Sequence, residues 1–415
     1  MPHLTSADRL FLDDFRGLER IGATPAGGVH RLSGTAEDGA LREWFRSHAE
    51  AQGFDVRVDG IGNMFACREL VPGAPYVLVG SHLDSQPLAG RFDGAYGVLA
   101  ALYAASRALD RLAADGCAPA RNLAVVNWFN EEGARFAPSL MGSSVYAGLY
   151  SIEDMLEVRD LDGVSVREAL DAIGWRGSDA PPDAACYAEI HIEQGRILER
   201  EGLDVGVVEA SWYTQKLDIT VLGEQSHTGA TAMADRRDAL VAAAEAVLAV
   251  HDVTLDFPEE MLVSSVGQHV VEPNSPIVVP RRVHMIADVR SGDPEIVRAA
   301  RAALLDQFER IGDRRRVDFI VEDFDVREVC RFPEAGIALA EEAMRAEGLA
   351  SRRLSTMAGH DAVALNSVVP TVLLFTPSVD GVSHCERELT SDEDMLTGVR
   401  ALTGVVRALL ERTLP

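Results

Sequence analysis

The chain lacks the marks of several protein classes. Its five cysteines, Cys67, Cys117, Cys186, Cys330 and Cys385, are odd in number, widely spread and free of any Cys-x-x-Cys pair. That excludes a disulfide framework and a zinc ribbon and predicts reduced thiols. No apolar run approaches the roughly 18 residues that span a bilayer, and the opening stretch from Met1 to Asp8 has no basic segment followed by an apolar one, which predicts a soluble, cytoplasmic protein. Aromatic residues are scarce, at 6% against 47% apolar residues in all, a balance that fits an alanine-rich globular protein and not a disordered chain. Basic residues are also short: 39 against 65 acidic, a net charge of −26. No basic, aromatic-interleaved patch offsets this, so neither nucleic acid nor an anionic membrane is expected as a partner. A small anionic substrate would need strong local positive charge. Internal repeats, low-complexity tracts and long linkers are absent as well.

What is present reads as α/β. At 415 residues the chain exceeds one core, and two domains are the default. Residues 76–80 and 123–129 are short apolar runs of the kind buried in a parallel sheet, with a helix predicted over 95–109 between them. From Gln215 the pattern becomes strand (216–222), helix (235–251), strands (261–269 and 282–289), helix (295–311) and strand (317–323). This βαββαβ order is that of the α+β ferredoxin-like unit. A helix over 335–347 and a buried strand over 371–375 follow, so the first domain resumes. The predicted organisation is a catalytic domain at 1–210 and 328–415, built on a mixed, mainly parallel sheet with helices on both faces, and an inserted domain at 211–327.

Chemistry concentrates where strands end. His82 lies just past the apolar run 76–79, and Asp84, two residues on, is placed to accept its other ring proton or to sit beside it. Asp93 lies in the glycine-flanked turn 90–94 before the helix, where it either caps that helix or bridges ions. Glu131 and Glu132 end the run 123–129. Adjacent carboxylates there repel and are costly to bury, so a metal or a shared proton is the expected compensation. In extended chain the two point to opposite sides, letting Glu132 bind metal while Glu131 serves as general base. His191 sits in an alternating strand, where a structural histidine is the commoner outcome, and His384 in a loop after the strand 371–375. Together these supply one shared carboxylate and two further ligands for each of two ions, a hydrolytic arrangement.

The strings Gly80-Ser81-His82-Leu83-Asp84-Ser85-Gln86-Pro87, Asn130-Glu131-Glu132-Gly133-Ala134-Arg135-Phe136, His191-Ile192-Glu193-Gln194-Gly195 and Ser226-His227-Thr228-Gly229-Ala230-Thr231 resemble the hydantoinase/carbamoylase branch of the M20 metallopeptidase clan. Glu272-Pro273-Asn274-Ser275-Pro276, Asp288-Val289-Arg290-Ser291 and Ala358-Gly359-His360-Asp361-Ala362 extend the likeness over nearly the whole chain. The resemblance implies two divalent ions per subunit, zinc foremost and manganese, cobalt or nickel as alternatives. His82, Asp93 and His191 would hold one, and Asp93, Glu132 and His384 the other. It further implies that Glu131 is the base, that His227 steadies the oxyanion, and that Asn274, Arg290, Gln194, Gly359 and His360 bind substrate. The inserted domain would be a lid or dimerisation domain of a homodimer.

The implied reaction is hydrolysis of the ureido C–N bond of N-carbamoyl-L-amino acids, with allantoate and N-carbamoyl-β-alanine as alternative substrates. Relatives that act as peptidases usually carry a carboxylate at the position of His191, so this histidine favours the carbamoylase branch over an aminoacylase or dipeptidase. Ser85, Met357 and Asp380 depart from the commonest family pattern without removing a ligand. A cysteine hydrolase using Cys385 beside His384 is disfavoured, because sequence neighbours rarely form a nucleophile-base pair. A non-catalytic binding protein would be expected to have lost Glu131 or a ligand.

Overall fold

The computed structural model describes residues 4–412 and 414. The chain divides into two compact units, one running to Glu209 and resuming at Arg331, the other Ala210–Cys330. The first unit is built on eight strands: β1 (Asp55–Val58), β2 (Met64–Arg68), β3 (Tyr76–His82), β4 (Asn122–Trp128), β5 (Ala184–Ile192), β6 (Val205–Ser211) and, after the second unit, β13 (Ser351–Thr356) and β14 (Thr371–Thr376). They are ordered β1-β2-β4-β3-β5-β14-β6-β13. The central four, β4-β3-β5-β14, are parallel, while β1 and β2 on one side and β6 on the other join antiparallel. β4 and β14 are buried at every residue, and β3 from Val77 to His82. Unbroken apolar runs such as Leu123 to Val126 are what a parallel strand covered on both faces requires. Helices Ala95–Ala114 and Asp392–Glu411 pack together against this centre, and the Tyr96 hydroxyl donates to the Met395 carbonyl at 3.0 Å.

The second unit holds β7 (Tyr213–Leu222), β8 (Ser226–His227), β9 (Val263–Glu272), β10 (Val278–Val279), β11 (Arg282–Ser291) and β12 (Asp318–Arg327). Its antiparallel four-stranded sheet is ordered β12-β7-β11-β9, and β8 pairs separately with β10. Along β7 and β11 burial alternates with period two, so one face is apolar. Leu217, Ile219, Val283 and Met285 on that face meet Ala243 of helix Ala239–Asp252 and Leu304 and Phe308 of helix Pro294–Arg315. Each such large apolar side chain contributes about 1.5–3 kcal/mol by leaving water. Helix Ala239–Asp252 begins four residues later than its periodicity predicts, because the Asp238 carboxylate accepts the N–H groups of Leu240 and Val241 and caps it there. Among the described residues no helix is long and apolar enough to cross a membrane.

Candidate metal centre

Every candidate ligand of the first unit lies at the carboxyl end of a parallel strand or in the loop after it, where open α/β sheets gather their chemistry. His82 is the last residue of β3 and His191 the penultimate residue of β5. Asp93 follows in the turn before helix Ala95–Ala114, Glu131 and Glu132 follow β4, and His384 lies in the loop after β14. Asp93 does not cap that helix: the cap position is Gly94, and no side-chain cap bond is made. The helix-capping reading is thereby excluded. The glutamates are not in extended chain either. Asn130 (φ 52°) and Gly133 (φ 63°) flank the two in a bent segment, from which Glu131 Oε2 lies 3.4 Å from His82 Nε2 and Glu132 Oε2 3.5 Å from His384 Nε2.

Asp93 stands between two sets of ligand atoms. Its Oδ1 lies 3.0 Å from His191 Nε2 and 3.4 Å from His82 Nε2, and its Oδ2 lies 3.2 Å from His384 Nε2. Glu132 Oε2 is 3.5 Å from His384 Nε2. Two clusters result, His82-Asp93-His191 and Asp93-Glu132-His384, the ligand atoms of each lying within 4.8 Å of one another. Tetrahedral ligands 2.0–2.1 Å from an ion are separated by about 3.3 Å, so these spacings fit a divalent cation in each cluster. Glu131 belongs to neither cluster. Its Oε2 lies 3.4 Å from His82 Nε2, beside the first.

Surrounding bonds orient the ligands. His82 Nδ1 lies 3.0 Å from the Asp84 carbonyl and His191 Nδ1 2.9 Å from the Ile192 carbonyl, which aims each Nε2 into the cluster. For Asp84 this refines the expectation: its carboxylate lies 3.6 Å from His82 Nδ1 and instead accepts the N–H groups of Glu131 and Glu132 at 3.2 and 3.3 Å. Gln86 holds Glu132 from its side chain (2.9 Å to Oε2) and its backbone (3.1 Å to Oε1). Gln194 Nε2 donates to Asp93 Oδ2 at 2.7 Å, so this expected pocket residue also fixes the shared carboxylate. His360 is buried and packs against His191, their ring centroids 4.6 Å apart, with its Nε2 3.2 Å from Thr356 Oγ1. Gly359 precedes it in the segment between β13 and helix Asp361–Leu365. Gln194 and His384 have positive φ (58° and 55°), strain of the kind found at functional sites.

The electrostatics call for cations. Burial pushes Asp93 up, but His191, His384 and His82 hold it well below the usual carboxylate range. Burial raises Glu131 well above that range against the pull of His82, with Asp361, Glu132 and Asp93 adding to the rise. Glu132 is raised to about 7 by burial and Asp93. His384 is raised to about 10, since Glu132 and Asp93 outweigh its burial. Protons on histidines stand where divalent ions would neutralise the same carboxylates more completely.

The remaining expected residues lie in the second unit. His227, in β8, is exposed, and its Nδ1 accepts the N–H groups of Gly229 and Ala230 at 3.0 and 3.2 Å. Asn274 follows β9, exposed and at φ 52°. Arg290, in β11, holds Asp288 through Nε and Nη2 at 2.6–3.1 Å. Sequence reasoning gave no role to several buried groups of the first unit. Gln86 lies inside a quoted motif, so its signal was available. Asp361, fully buried, also lies inside a quoted motif, whereas Glu388 and Glu189, likewise buried acids near the ligands, are revealed only by tertiary contact.

A model of peptidase family M20/M25/M40 matches residues 78–408. The chain is 36% identical over 403 residues to an N-carbamoyl-L-amino-acid amidohydrolase of Rhizobium meliloti, covering 96% of this chain and 95% of that one. It is 32% identical over 405 residues to an allantoate amidohydrolase of Bacillus subtilis (strain 168), covering 96% of each. Among solved structures, an amidase of the hydantoinase/carbamoylase family from Burkholderia vietnamiensis matches with a TM-score of 0.93 at 37% identity, over 99% of this chain and 100% of that one.

Proposed function

Because the chain belongs to peptidase family M20/M25/M40, we propose that it is a dinuclear metal-dependent amidohydrolase that cleaves the ureido C–N bond of N-carbamoyl-L-amino acids. The observation that carries this reading is the Asp93 carboxylate, one oxygen toward His82 and His191 and the other toward His384, with Glu131 beside the pair and outside both ligand sets. A histidine at 191 and the carbamoylase relatives support the substrate class. Allantoate is the second reading, supported by the Bacillus subtilis relative.

Two divalent ions, zinc foremost, would be held by His82-Asp93-His191 and Asp93-Glu132-His384. When bound they supply Lewis acidity at the carbonyl oxygen and lower the pKa of water. Glu131 takes the proton of the attacking water and returns it to the leaving nitrogen. The products are the amino acid and carbamate, which breaks down to carbon dioxide and ammonia. His227, its Nδ1 engaged by two backbone N–H groups, carries its ring proton on Nε2 and donates it to the developing oxyanion. Asn274 and Arg290 bind the substrate carboxylate end, and Gln194, Gly359 and His360 shape the pocket. The Ala210–Cys330 unit is read as a ferredoxin-like lid and dimerisation domain of a cytoplasmic homodimer. Val263, exposed on β9 at the edge of the four-stranded sheet, and exposed Met261 just before it are compatible with that surface role.

The test is ammonia release by metal-loaded protein from N-carbamoyl-L-amino acids, N-carbamoyl-β-alanine and allantoate, with N-acyl amino acids and dipeptides as controls. Glu131→Gln is expected to lower turnover by about 10²–10⁴-fold while keeping the metal. Unchanged turnover in that variant, or activity that survives chelation as a Cys385 thiol enzyme's would, sinks the reading.

A further inference from the structure

His82 and His191 sit in strands whose register fixes them, and each side chain is only 1–2% exposed. His384 differs: its side chain is 48% exposed, in a loop and at positive φ. Something other than the sheet must hold it opposite Asp93. Glu388, four residues on, is buried at 3% exposure. Its Oε1 accepts the backbone N–H groups of Phe92 and Asp93 at 3.0 and 3.1 Å, and its Oε2 accepts the Ser383 hydroxyl at 2.7 Å. Ser383 Oγ also lies 3.1 Å from Asp93 Oδ2, the oxygen that faces His384. One carboxylate thus ties the backbone of the shared ligand to the residue preceding His384. The approach depends on Gly90, where a Cβ would lie 2.0 Å from Glu388 Oε1.

We propose that Glu388 is a positioning residue that, through Ser383, holds the His384 loop against the Asp93 turn and sets the affinity of the Asp93-Glu132-His384 site selectively. This rests on the dinuclear reading above. Removing the carboxylate frees the loop ligand, while His82 and His191 keep their places in β3 and β5. Supports one shell behind metal ligands are worth about 10- to 100-fold in affinity.

The test is zinc titration by calorimetry, with metal content by mass spectrometry, on the full-length protein stripped of metal. Wild type is expected to take two ions, and Glu388→Ala to keep one at wild-type affinity while the other binds about 10- to 100-fold more weakly. Glu388→Gln should lie nearer wild type, because its amide oxygen accepts the two backbone N–H groups while its N–H₂ donates to Ser383. Ser383→Ala, which removes only a hydroxyl, should also weaken the second ion alone, and it decides the matter if Glu388→Ala does not fold. Two ions bound normally by both Glu388→Ala and Ser383→Ala, or equal weakening of both sites, would overturn the proposal and leave the dinuclear reading standing. Fewer than two ions in wild type would overturn both.

Discussion

Gly94→Ala adds a single methyl group directly against the His82 ring. Gly94 adopts φ 62°, ψ −52°, a region closed to residues with a side chain. A Cβ there would lie 2.3 Å from His82 Cε1 and 2.4 Å from both ring nitrogens. Carbon contacts settle near 3.5–4.0 Å, so the ring or the loop must give by more than about 1 Å. The ring has little freedom, being 1% exposed and held at Nδ1 by the Asp84 carbonyl. Metal-ligand distances tolerate only about 0.2 Å, so the His82-Asp93-His191 site should lose its ion. Backbone strain of about 1–3 kcal/mol and overpacking of about 1–3 kcal/mol together predict a loss of about 2–6 kcal/mol. Thermal denaturation with and without added zinc measures both effects. In wild type, metal bound only by the folded state raises the melting temperature, and in the variant that rise should shrink alongside a lower metal-free value. A variant with two ions and wild-type turnover would show that the loop relaxes freely, and the reasoning from contact distances would fall.

Two further outcomes follow from ion pairs of the second unit. Asp325 sits at a bulge in β12 at φ 48°, its side chain 1% exposed and paired with Lys216 and Arg327 at 2.8 Å. Burial pushes its pKa up, but the two cations bring it below the usual value; its stabilisation is therefore complete above the unfolded pKa of about 3.9 and lost as pH falls through the lower folded value. Asp325→Asn, which tolerates the same backbone, should cost about 3–5 kcal/mol at neutral pH, and urea denaturation should find that gap closing in acid; a gap independent of pH would refute the assignment. Arg290→Ala should lower kcat/KM for carboxylate-bearing substrates about 10- to 150-fold, the worth of a charged hydrogen bond of about 1.5–3 kcal/mol. Steady-state kinetics with an unchanged KM would count against a substrate role.

What the sequence disclosed and what it hid follow one physical line. His82 was legible because an apolar run fills β3 immediately before it, and the strands of the second unit because burial in β7 and β11 alternates. The bend after β4 differs from the extended chain expected there: Asn130 takes a positive φ within a loop that its own Nδ2 closes by donating to the Phe136 carbonyl at 2.7 Å. Helices Ser6–Leu18 and Ala36–Ala51 and strands β1, β2, β6 and β13 were not singled out. β6 is interrupted by Gly206 and Glu209, and the lateral partners of an antiparallel flank leave little trace in a single segment. Glu388 was invisible for a different reason: its partners Phe92 and Asp93 lie 296 and 295 residues away, so no local pattern records them.

The parallel centre of the sheet has a consequence for biosynthesis. Ligands at the ends of β3, β4 and β5 are all made within the first 191 residues, but the strand that carries the chain to His384 is synthesised only after the whole of the Ala210–Cys330 unit. His384 reaches Asp93 from the loop after β14, which pairs with β5 in the finished sheet. Under the proposed dinuclear reading, the ligands of one cluster, His82, Asp93 and His191, are all made before the second unit, while the other cluster lacks His384 until that unit has been made.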